Sequence, residues 1–384
     1  MALIEKLSAI GDAIREKNGT TDLMTLEQMP QAIADIQSGG GDTELVDKVL
    51  TLEGDCSYKF YKGRLDWLIR EYGDRMKVGD ITALTYCFSE SNLEEIPFDL
   101  TIANGIKTPT ETTINNAFTS CGKLTKAPYI RGNIKSTDGN VKISMMSIFQ
   151  YCENLTEIPF DFFDELVKGL KKDEYTAHNV SSMFYGCNRL RTHPNLSCLH
   201  KSKGGTSTSY NSLFQLCTVL DEIVDLPTFD VVFTANKFSN SFSGCYRIKN
   251  LTFATDEGIA TVASWKSQTI ALTSVGYVVG SFSATDHGIA DGKRVHNDTN
   301  YQALKNDPDW WTANASYSRY NHDSAVETIN SLPDTSAYLA ENGGTNTIKF
   351  NGSSGSLTDG GAINTLTEEE IAVATAKGWT VTLS

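Results

Sequence analysis

The feature that most constrains the fold of this chain is a pattern, Phe-x-x-Cys-x-x-(Leu/Ile), that recurs along its middle. Internal repetition of this kind is typical of proteins built from stacked units, each of which buries its neighbour. Successive phenylalanines, counted from a degenerate first copy at Phe88, lie 30, 31, 35, 30 and 28 residues apart, so the unit is about 30 residues long. The degenerate copy has Ser91 in place of the cysteine and one residue fewer before Leu93. The five full copies are Phe118, Cys121, Leu124; Phe149, Cys152, Leu155; Phe184, Cys187, Leu190; Phe214, Cys217, Leu220; and Phe242, Cys245, Ile248.

Each unit also carries conserved spacing on both sides of this pattern. An apolar residue lies four positions before the phenylalanine and a small polar residue two positions before it. The apolar spacing predicts one short helical turn whose apolar face points inward. An apolar or semi-apolar residue followed by proline, as in Ile96-Pro97 and Ile158-Pro159, comes three positions after the Leu/Ile and predicts a short strand. One strand and one turn per period would give a parallel sheet of stacked units.

These residues resemble the BspA-like branch of leucine-rich repeats, whose units read Phe-x-x-Cys-x-x-Leu-x-x-Ile. The resemblance covers about residues 83–255. It implies an α/β repeat fold, a leucine-rich-repeat solenoid with short parallel strands, whose structural core contains the Phe, Cys and Leu/Ile of every full copy. Inserts at 165–178 and 200–209 interrupt the period, and binding loops could lie there.

The region before the repeats predicts three parts. Residues 1–37 predict a small helical segment, and because short helices bury little surface alone, we expect it to oligomerise or to dock on a partner. Residues 38–42 are a Gly-rich linker, and residues 43–82 are the candidate N-terminal cap of the solenoid. The apolar residues expected to mediate oligomerisation or attachment are Leu3, Leu7, Ile10, Ile14, Ile33 and Ile36.

Residues 256–384 predict a small α/β region that either caps the solenoid or forms a separate tip. Ser324 and Thr367 each begin a capping-box pattern, and Asp323 is a second candidate for the first helix cap. Lys377-Gly378 predicts the end of the last helix, and the alternating residues from Trp379 to Leu383 predict a terminal strand.

An aromatic cluster in a polar context is the one feature that predicts ligand contact. It consists of Trp310, Trp311, Tyr317 and Tyr320. The alternative is a small core beneath the C-terminal helices.

Charge and composition disfavour several function classes. With 47 acidic and 33 basic residues, the chain has a net charge of −14, which disfavours binding to nucleic acid. No segment reaches the roughly 20 apolar residues of a membrane-spanning helix. The cysteines are widely spaced and fall largely at one repeat position, so we interpret them as reduced and structural. No catalytic, metal or phosphate-binding motif is recognisable, and the nearest approach, His193 with Cys198 and His200, is interpreted as a repeat position and a loop. We therefore expect a non-enzymatic protein without cofactors.

The two ends of the chain suggest where such a protein would act. Segments 10–15 and 24–30 resemble a short leader domain of phage tail and other virion proteins, and segment 366–379 is similar to the endings of such proteins. The start lacks the features of a secretory signal, which fits assembly into a particle inside the host.

The resemblance implies a virion structural protein of the tail, baseplate or fibre. Its expected partners are other virion proteins, bound through the N-terminal segment, a host-surface glycan or protein, and further copies of itself. Alternatives are a head fibre or decoration protein, a bacterial BspA-like surface adhesin, and an enzyme with a hidden carbohydrate-cleaving site.

Overall fold

The structure is a computed structural model that describes residues 50–103, 111–135, 141–171, 175–199, 208–229, 231–245, 248–255, 262–273, 275, 289–290, 293–294, 320–350 and 365–383. The predicted helical segment 1–37 and the linker 38–42 lie outside the described residues.

The described chain has mixed α/β content, with short parallel strands in small sheets. Its α-helices are α1 (Asp66–Tyr72), α2 (Phe162–Leu166), α3 (His322–Ser331), α4 (Ser336–Asn342) and α5 (Glu368–Ala376). Short 3-10 turns lie at Tyr61–Gly63, Gly73–Arg75 and Ser197–Leu199. Its strands are β1 (Thr51–Asp55), β2 (Lys77–Ala83), β3 (Leu100–Ala103), β4 (Glu111–Thr113), β5 (Ile130–Asn133), β6 (Val141–Ser144), β7 (Tyr175–Asn179), β8 (Glu222–Leu226), β9 (Asn250–Phe253), β10 (Thr269–Leu272), β11 (Ile289–Ala290), β12 (Lys293–Arg294), β13 (Asn346–Phe350) and β14 (Trp379–Leu383).

The largest sheet has seven strands, all paired in parallel. Strand β2 pairs with three strands. It pairs with β1 along most of its length, with β3 at Ile81 and with β4 at Ala83. The sheet continues from β3 to β5 and from β4 through β6 to β7. Strands β8 and β9 form a separate parallel pair, and β10, β13 and β14 form a parallel sheet of three. Parallel pairing between strands about one period apart is the pairing that stacked repeat units require.

The structure extends the repeat toward the N-terminus. We number the repeat units 1 to 7 by their central phenylalanines, which are Phe60, Phe88, Phe118, Phe149, Phe184, Phe214 and Phe242. The eight residues from four before to three after each phenylalanine are called the turn segment. Unit 1 falls within residues 43–82, which the sequence predicted to be a cap, and its backbone bonds to unit 2 as unit 2 bonds to unit 3. The described part of that region therefore contains one more repeat unit.

The turn segment is not the helical turn that the apolar spacing predicted. In unit 1 the N–H groups of Lys59, Tyr61 and Gly63 donate to carbonyls three residues earlier within the same unit. The intervening N–H groups donate instead to carbonyls of unit 2; for example, Phe60 donates to Cys87 at 2.8 Å and Lys62 to Ser89 at 2.8 Å. Alternate amides therefore close the turn and join neighbouring units. The same alternation recurs from unit 2 through unit 6.

Two left-handed residues in every turn segment explain this departure. The residue two before the phenylalanine has φ between 53° and 60°, and the residue two after it has φ between 58° and 81°. A left-handed residue cannot continue a right-handed helix. The apolar side chains point inward as predicted, but the backbone between them includes residues with left-handed φ.

The prediction of one strand per period is also wrong. Strands β1, β2, β4, β6 and β7 directly precede a turn segment, where no strand was predicted. The predicted strand after the Leu/Ile exists as β8 and β9 in units 6 and 7, but between units 3 and 4 it is reduced to a bridge from Lys126 to Glu157. The insert 165–178, predicted as a loop, contains the end of α2 and most of β7.

The described C-terminal region packs on unit 7 through α3. Three hydroxyl groups of α3 bond to the backbone of unit 7 at and just before β9: Ser324 donates to the Lys249 carbonyl, Thr328 donates to the Leu251 carbonyl, and the Phe253 N–H donates to Ser331 at 3.0 Å. Helix residues spaced four and three apart share one face, and alternate strand residues point their backbone groups to one edge. Helix α3 thereby covers the open edge of β9.

The boundaries of the C-terminal helices agree in part with the sequence. Helix α3 begins at His322 with Asn321 as its cap, so the predicted caps Asp323 and Ser324 are wrong; Ser324 instead completes the capping box from the third helical position. Helix α5 has the predicted capping box between Thr367 and Glu370. It ends at Ala376 with Lys377 as its C-cap, and β14 follows as predicted.

Candidate functional site

The repeat residues form a buried column across the units. The fifteen Phe, Cys and Leu/Ile residues of the full copies are at most 2% exposed. Phenylalanine rings of units 1 to 6 stack face to face in succession, with centroids 5.0 to 6.2 Å apart and planes within 12° of parallel. Burial of these rings contributes stability to every unit and fixes the spacing of the backbone that carries the surface residues.

The five repeat cysteines connect each unit to the one before it. Each thiol donates to the backbone carbonyl of the phenylalanine in the preceding unit. The distance is 2.9 Å from Cys121 to Phe88 and 3.0 Å from Cys245 to Phe214. All five remain thiols. Burial raises the pKa of Cys187 and Cys217 above the ordinary value and that of Cys245 to about 12, which keeps these groups protonated as donors.

In unit 2 a serine, Ser91, occupies the position that holds cysteine in the five full copies. Ser91 donates to the carboxylate of the buried Asp66 at 2.9 Å, and the Asn92 N–H donates to the other oxygen at 2.7 Å. Asp66 lies on α1, which also presents Arg70 at 3.9 Å from that carboxylate. The serine that makes this copy degenerate in sequence is therefore held by a carboxylate from the helix that precedes it.

The turn face comprises the residues two before, one after and two after each phenylalanine. Most of them are exposed or partly exposed, and the buried ones are Ser89, Asn116, Ser147, Gly186 and Gly244. In units 1 and 2 it carries three tyrosines, which we call the first tyrosine cluster: Tyr58, Tyr61 and Tyr86. Tyr58 stacks on Tyr86 at 5.3 Å, and Tyr61 meets both rings edge-on. Lys62 lies 5.2 Å from the centre of the Tyr61 ring. Tyr58 is 52% exposed, so this cluster is a surface feature and not part of the core.

A second tyrosine cluster, Tyr151 and Tyr185, lies on the same face in units 4 and 5. The two rings are 4.7 Å apart, and Tyr151 is 39% exposed. A hydrogen bond to Tyr185, with a smaller effect of burial, raises the pKa of Tyr151 to about 12. Beneath this ring lies Gly186, where a Cβ would come within 2.8 Å of the Tyr151 ring.

The tyrosines at left-handed positions are unexpected. Tyr58, Tyr86 and Tyr151 have φ of 60°, 53° and 58°. This conformation costs a bulky residue roughly 1–2 kcal/mol, and units 3 to 7 place Asn or Ser at the position that Tyr58 and Tyr86 occupy. Stacking returns about 0.5–1.5 kcal/mol for a well-placed pair, so these rings add little net stability.

A charged network occupies another surface, on β5 and α2. Arg131 bridges Asp99 at 2.8 Å and Glu165 at 2.6 Å, and its guanidinium lies 4.6 Å from the centre of the Tyr129 ring. Hydrogen bonds from Lys168 and Arg131 lower the pKa of Glu165, and the bond to Asp161 raises that of Tyr129. Arg131 and Lys168 are both paired with carboxylates, so neither cation of this network is left to hold an anionic ligand.

The histidines considered in the sequence have structural partners. His193 is buried, its Nε2 accepts from the Val224 N–H at 3.0 Å, and its Nδ1 lies 2.6 Å from the Pro194 carbonyl. Burial lowers its pKa to about 4. His322 lies 3.1 Å from Glu370 and 3.3 Å from Asp323; burial opposes its protonation, but these carboxylates outweigh that effect and raise its pKa. Among the described residues, no group of three His, Cys, Asp or Glu side chains is arranged to hold a metal ion.

The predicted ligand-contact and attachment residues are placed only in part. Tyr320 is 1% exposed, and its hydroxyl bonds to Thr328, so for this residue the structure supports the core alternative and not ligand contact. Trp310, Trp311 and Tyr317 lie outside the described residues, as do Leu3, Leu7, Ile10, Ile14, Ile33 and Ile36. In the part of the chain that the structure describes, no helix has the length and apolar character needed to span a bilayer.

Sequence reasoning missed both tyrosine clusters. Their positions follow from the repeat spacing once unit 1 is recognised, since Cys56-x-Tyr58-x-Phe60 aligns with Leu84-x-Tyr86-x-Phe88. What the spacing alone could not indicate is that these positions face outward in left-handed conformations.

Comparisons of this chain with protein-family models, with curated proteins and with solved structures find no match.

Proposed function

We propose that this chain is a leucine-rich-repeat solenoid of the BspA-like kind that acts by presenting a surface, without covalent chemistry. The observation that carries the proposal is the ladder of backbone bonds that joins units 1 to 7 in register, with thiols and phenylalanines stacked behind it. A frame built from identical backbone positions can hold different outward side chains in fixed places. Such a frame suits recognition of an extended partner.

We propose further that the chain is a phage virion structural protein of the tail, baseplate or fibre, and that it recognises the host surface. The support is the likeness of segments 10–15, 24–30 and 366–379 to those of virion proteins, together with a repeat region suited to binding. Residues 1–37 would attach the protein to other virion proteins or to further copies of itself. The protein would reside in the virion, after assembly in the host cytoplasm. A head fibre or decoration protein is a close variant of this proposal.

Labelling purified phage particles with an antibody against this chain tests the proposal. We expect intact particles to bind the antibody and particles produced with residues 1–37 deleted to lack it. Unlabelled intact particles would refute the virion assignment. Incorporation of the deleted chain would refute the attachment role of residues 1–37 alone, because the rest of the chain would then suffice.

A bacterial BspA-like adhesin is the second candidate, and the repeat resemblance over residues 83–255 favours it. The particle experiment separates the two candidates, since an adhesin would be found on the cell that encodes it.

The third candidate, a carbohydrate-cleaving enzyme, is tested by an activity assay. Incubation of the purified chain with host envelope polysaccharide should release no reducing ends, and steady release would overturn the non-enzymatic proposal.

A further inference from the structure

Fifteen positions, three in each of units 1 to 5, make up the turn face that contains both tyrosine clusters, and their charge is unusual for this chain. Lys62 and Glu90 alone among them are charged, although the protein as a whole has a net charge of −14. Thr119, Ser120 and Gln150 lie between the clusters and are partly exposed. The strip is therefore nearly neutral and consists of aromatic rings, hydroxyl groups and an amide.

The spacing of the clusters suits an extended ligand. Neighbouring strands in a sheet are about 4.8 Å apart, so Tyr58 of unit 1 and Tyr185 of unit 5 are separated by roughly 19 Å along the stack. Both clusters include the residue one after the phenylalanine, Tyr61 in unit 1 and Tyr185 in unit 5, and the other rings contact these two, so both clusters lie on the turn face. A chain-like molecule running along the stack could contact both.

The tyrosines are placed where the frame gains little from them. Tyr58, Tyr86 and Tyr151 adopt left-handed conformations, and every other unit places Asn or Ser at the position of Tyr58 and Tyr86. Tyr58 is 52% and Tyr151 39% exposed. Strained residues that persist without benefit to packing are characteristic of binding sites. Gly186 supports this reading, because the absence of a side chain there makes room for the Tyr151 ring.

We propose that this turn face binds a neutral polysaccharide, with the two tyrosine clusters as stacking platforms for sugar rings. Tyrosine rings offer a flat apolar face to the C–H groups of a sugar and a hydroxyl group at the rim. Between the platforms, Ser120 and Gln150 provide donors and acceptors for sugar hydroxyls, and Thr119, whose hydroxyl donates to the Ser147 carbonyl at 2.7 Å, provides an acceptor. A neutral strip on an acidic protein disfavours anionic polymers, whose charges the rest of the surface would repel. The proposal rests on the proposed function, since it names the class of host-surface ligand.

Affinity electrophoresis of the full-length chain through native gels tests the proposal. The gels contain dextran, mannan or a soluble β-glucan as neutral probes, and alginate as the anionic probe. We expect at least one neutral polysaccharide, and not alginate, to retard the protein. Retardation by alginate alone, or by no polysaccharide, overturns the proposal.

Two variants locate the site. Tyr58→Ser with Tyr86→Ser removes the stacked pair of the first cluster and introduces the residue that units 4 to 6 carry at this position. Tyr151→Gly removes the more exposed ring of the second cluster and introduces the residue found in units 5 and 7. Each should weaken binding at least tenfold. Phe160→Ser is the matched control, because Phe160 is 70% exposed but lies outside the turn face, and its binding should equal that of the wild type. Wild-type affinity in both tyrosine variants overturns the proposal, and their thermal melts show whether each is folded.

The glycan-binding experiment and the particle-labelling experiment can fail independently. A purified chain that binds neutral polysaccharide through its tyrosines, while particles lack the chain, would refute the virion assignment and leave the glycan site intact. Labelled particles together with tyrosine variants that bind as wild type would refute the glycan site alone.

Discussion

At the scale of single residues, the conformation of each turn position restricts which side chain it can hold. Left-handed positions favour Gly, Asn or Ser, and each larger residue found there must be accommodated by a neighbour. In units 4 to 7 large and small side chains alternate at the position two after the phenylalanine, where Tyr151 lies over Gly186 and Leu216 lies over Gly244. The sequence of one unit is therefore coupled to that of the next.

Gly186→Ala should destabilise the protein by about 1–3 kcal/mol. A Cβ at φ of 77° costs about 1–2 kcal/mol, and displacing the Tyr151 ring removes up to about 1 kcal/mol of stacking on Tyr185. In a Tyr151→Ser background the second part is already absent, so the cost should fall to about 1–2 kcal/mol. Urea unfolding of the four proteins of this cycle measures the difference, and equal costs in both backgrounds would show that the ring and the glycine are not coupled.

Acid should destabilise the protein through His193. Its pKa in the folded state is about 4, below the roughly 6.5 of an unfolded histidine, so unfolding takes up a proton between these values. Stability is therefore retained above pH 6.5 and lost as the pH falls toward 4, by at most roughly 3 kcal/mol from this residue. His193→Gln, which does not titrate, should show a shallower fall in the free energy of unfolding over that range. Parallel pH profiles of the two proteins would contradict this role.

At the scale of elements, the end of the β8–β9 ladder is closed by a helix and not by another strand. The hydroxyl groups of Ser324, Thr328 and Ser331 replace the backbone partners that a further strand would give to unit 7 at and just before β9. Unpaired strand edges promote association between molecules, and a covering helix is one of the ways in which proteins prevent it. Helix α5 holds α3 at both ends, through Glu370 to His322 and through Lys377 to the carbonyls of Ile329 and Asn330.

Thr328→Val tests the closing role of α3. Valine has nearly the same shape, but it removes the buried hydroxyl that bonds to the Leu251 carbonyl and to the Tyr320 hydroxyl, which should cost about 1–3 kcal/mol. Thr375→Val on α5 is the control, because its exposed hydroxyl bonds only within its own helix at Ile371, and it should change stability by less than about 0.5 kcal/mol. Thermal unfolding of both variants supplies the comparison. Equal shifts would mean that the Thr328 hydroxyl does not support β9.

Elements determined by local contacts could be predicted from the sequence, whereas elements determined by distant contacts could not. The capping box at Thr367 and the strand from Trp379 follow from local hydrogen bonding and alternation, and both were predictable. The start of α3 was not, because Ser324 fits a first-position cap as well as the third position that it occupies. The turn segments were misjudged as helical because apolar spacing reports which side chains face inward but not the hand of the residues between them.

The contrast between local and distant contacts also explains which residues of the candidate site could be predicted. The buried positions of the Phe, Cys and Leu/Ile residues follow from repetition, since one pattern at a fixed period must face one core. Unit 1 was missed because Gly63 occupies the position that holds cysteine in units 3 to 7. Tyr320 was ambiguous between surface and core, and only the packing of α3 decides between them.

At the scale of the whole molecule, stability should pass from unit to unit, so that the end of the stack governs solubility. A chain truncated after residue 255 would keep units 1 to 7 but lose α3, which would expose the edge of β9. We expect this truncated chain to self-associate in light-scattering chromatography. The same truncation with Thr252→Lys on β9 should associate less, because a lysine on an edge strand disfavours pairing. A monomeric truncated chain with wild-type stability would contradict the closing role of α3.

The central claim is that the repeat units stack as one continuous solenoid with the thiols of Cys121, Cys152, Cys187, Cys217 and Cys245 in a single column. Sulfur anomalous diffraction from a crystal of the protein locates these atoms without reference to any coordinates. The account predicts five peaks in one row, with neighbours about 5 Å apart. Five peaks scattered through the molecule, with no common row, would contradict it.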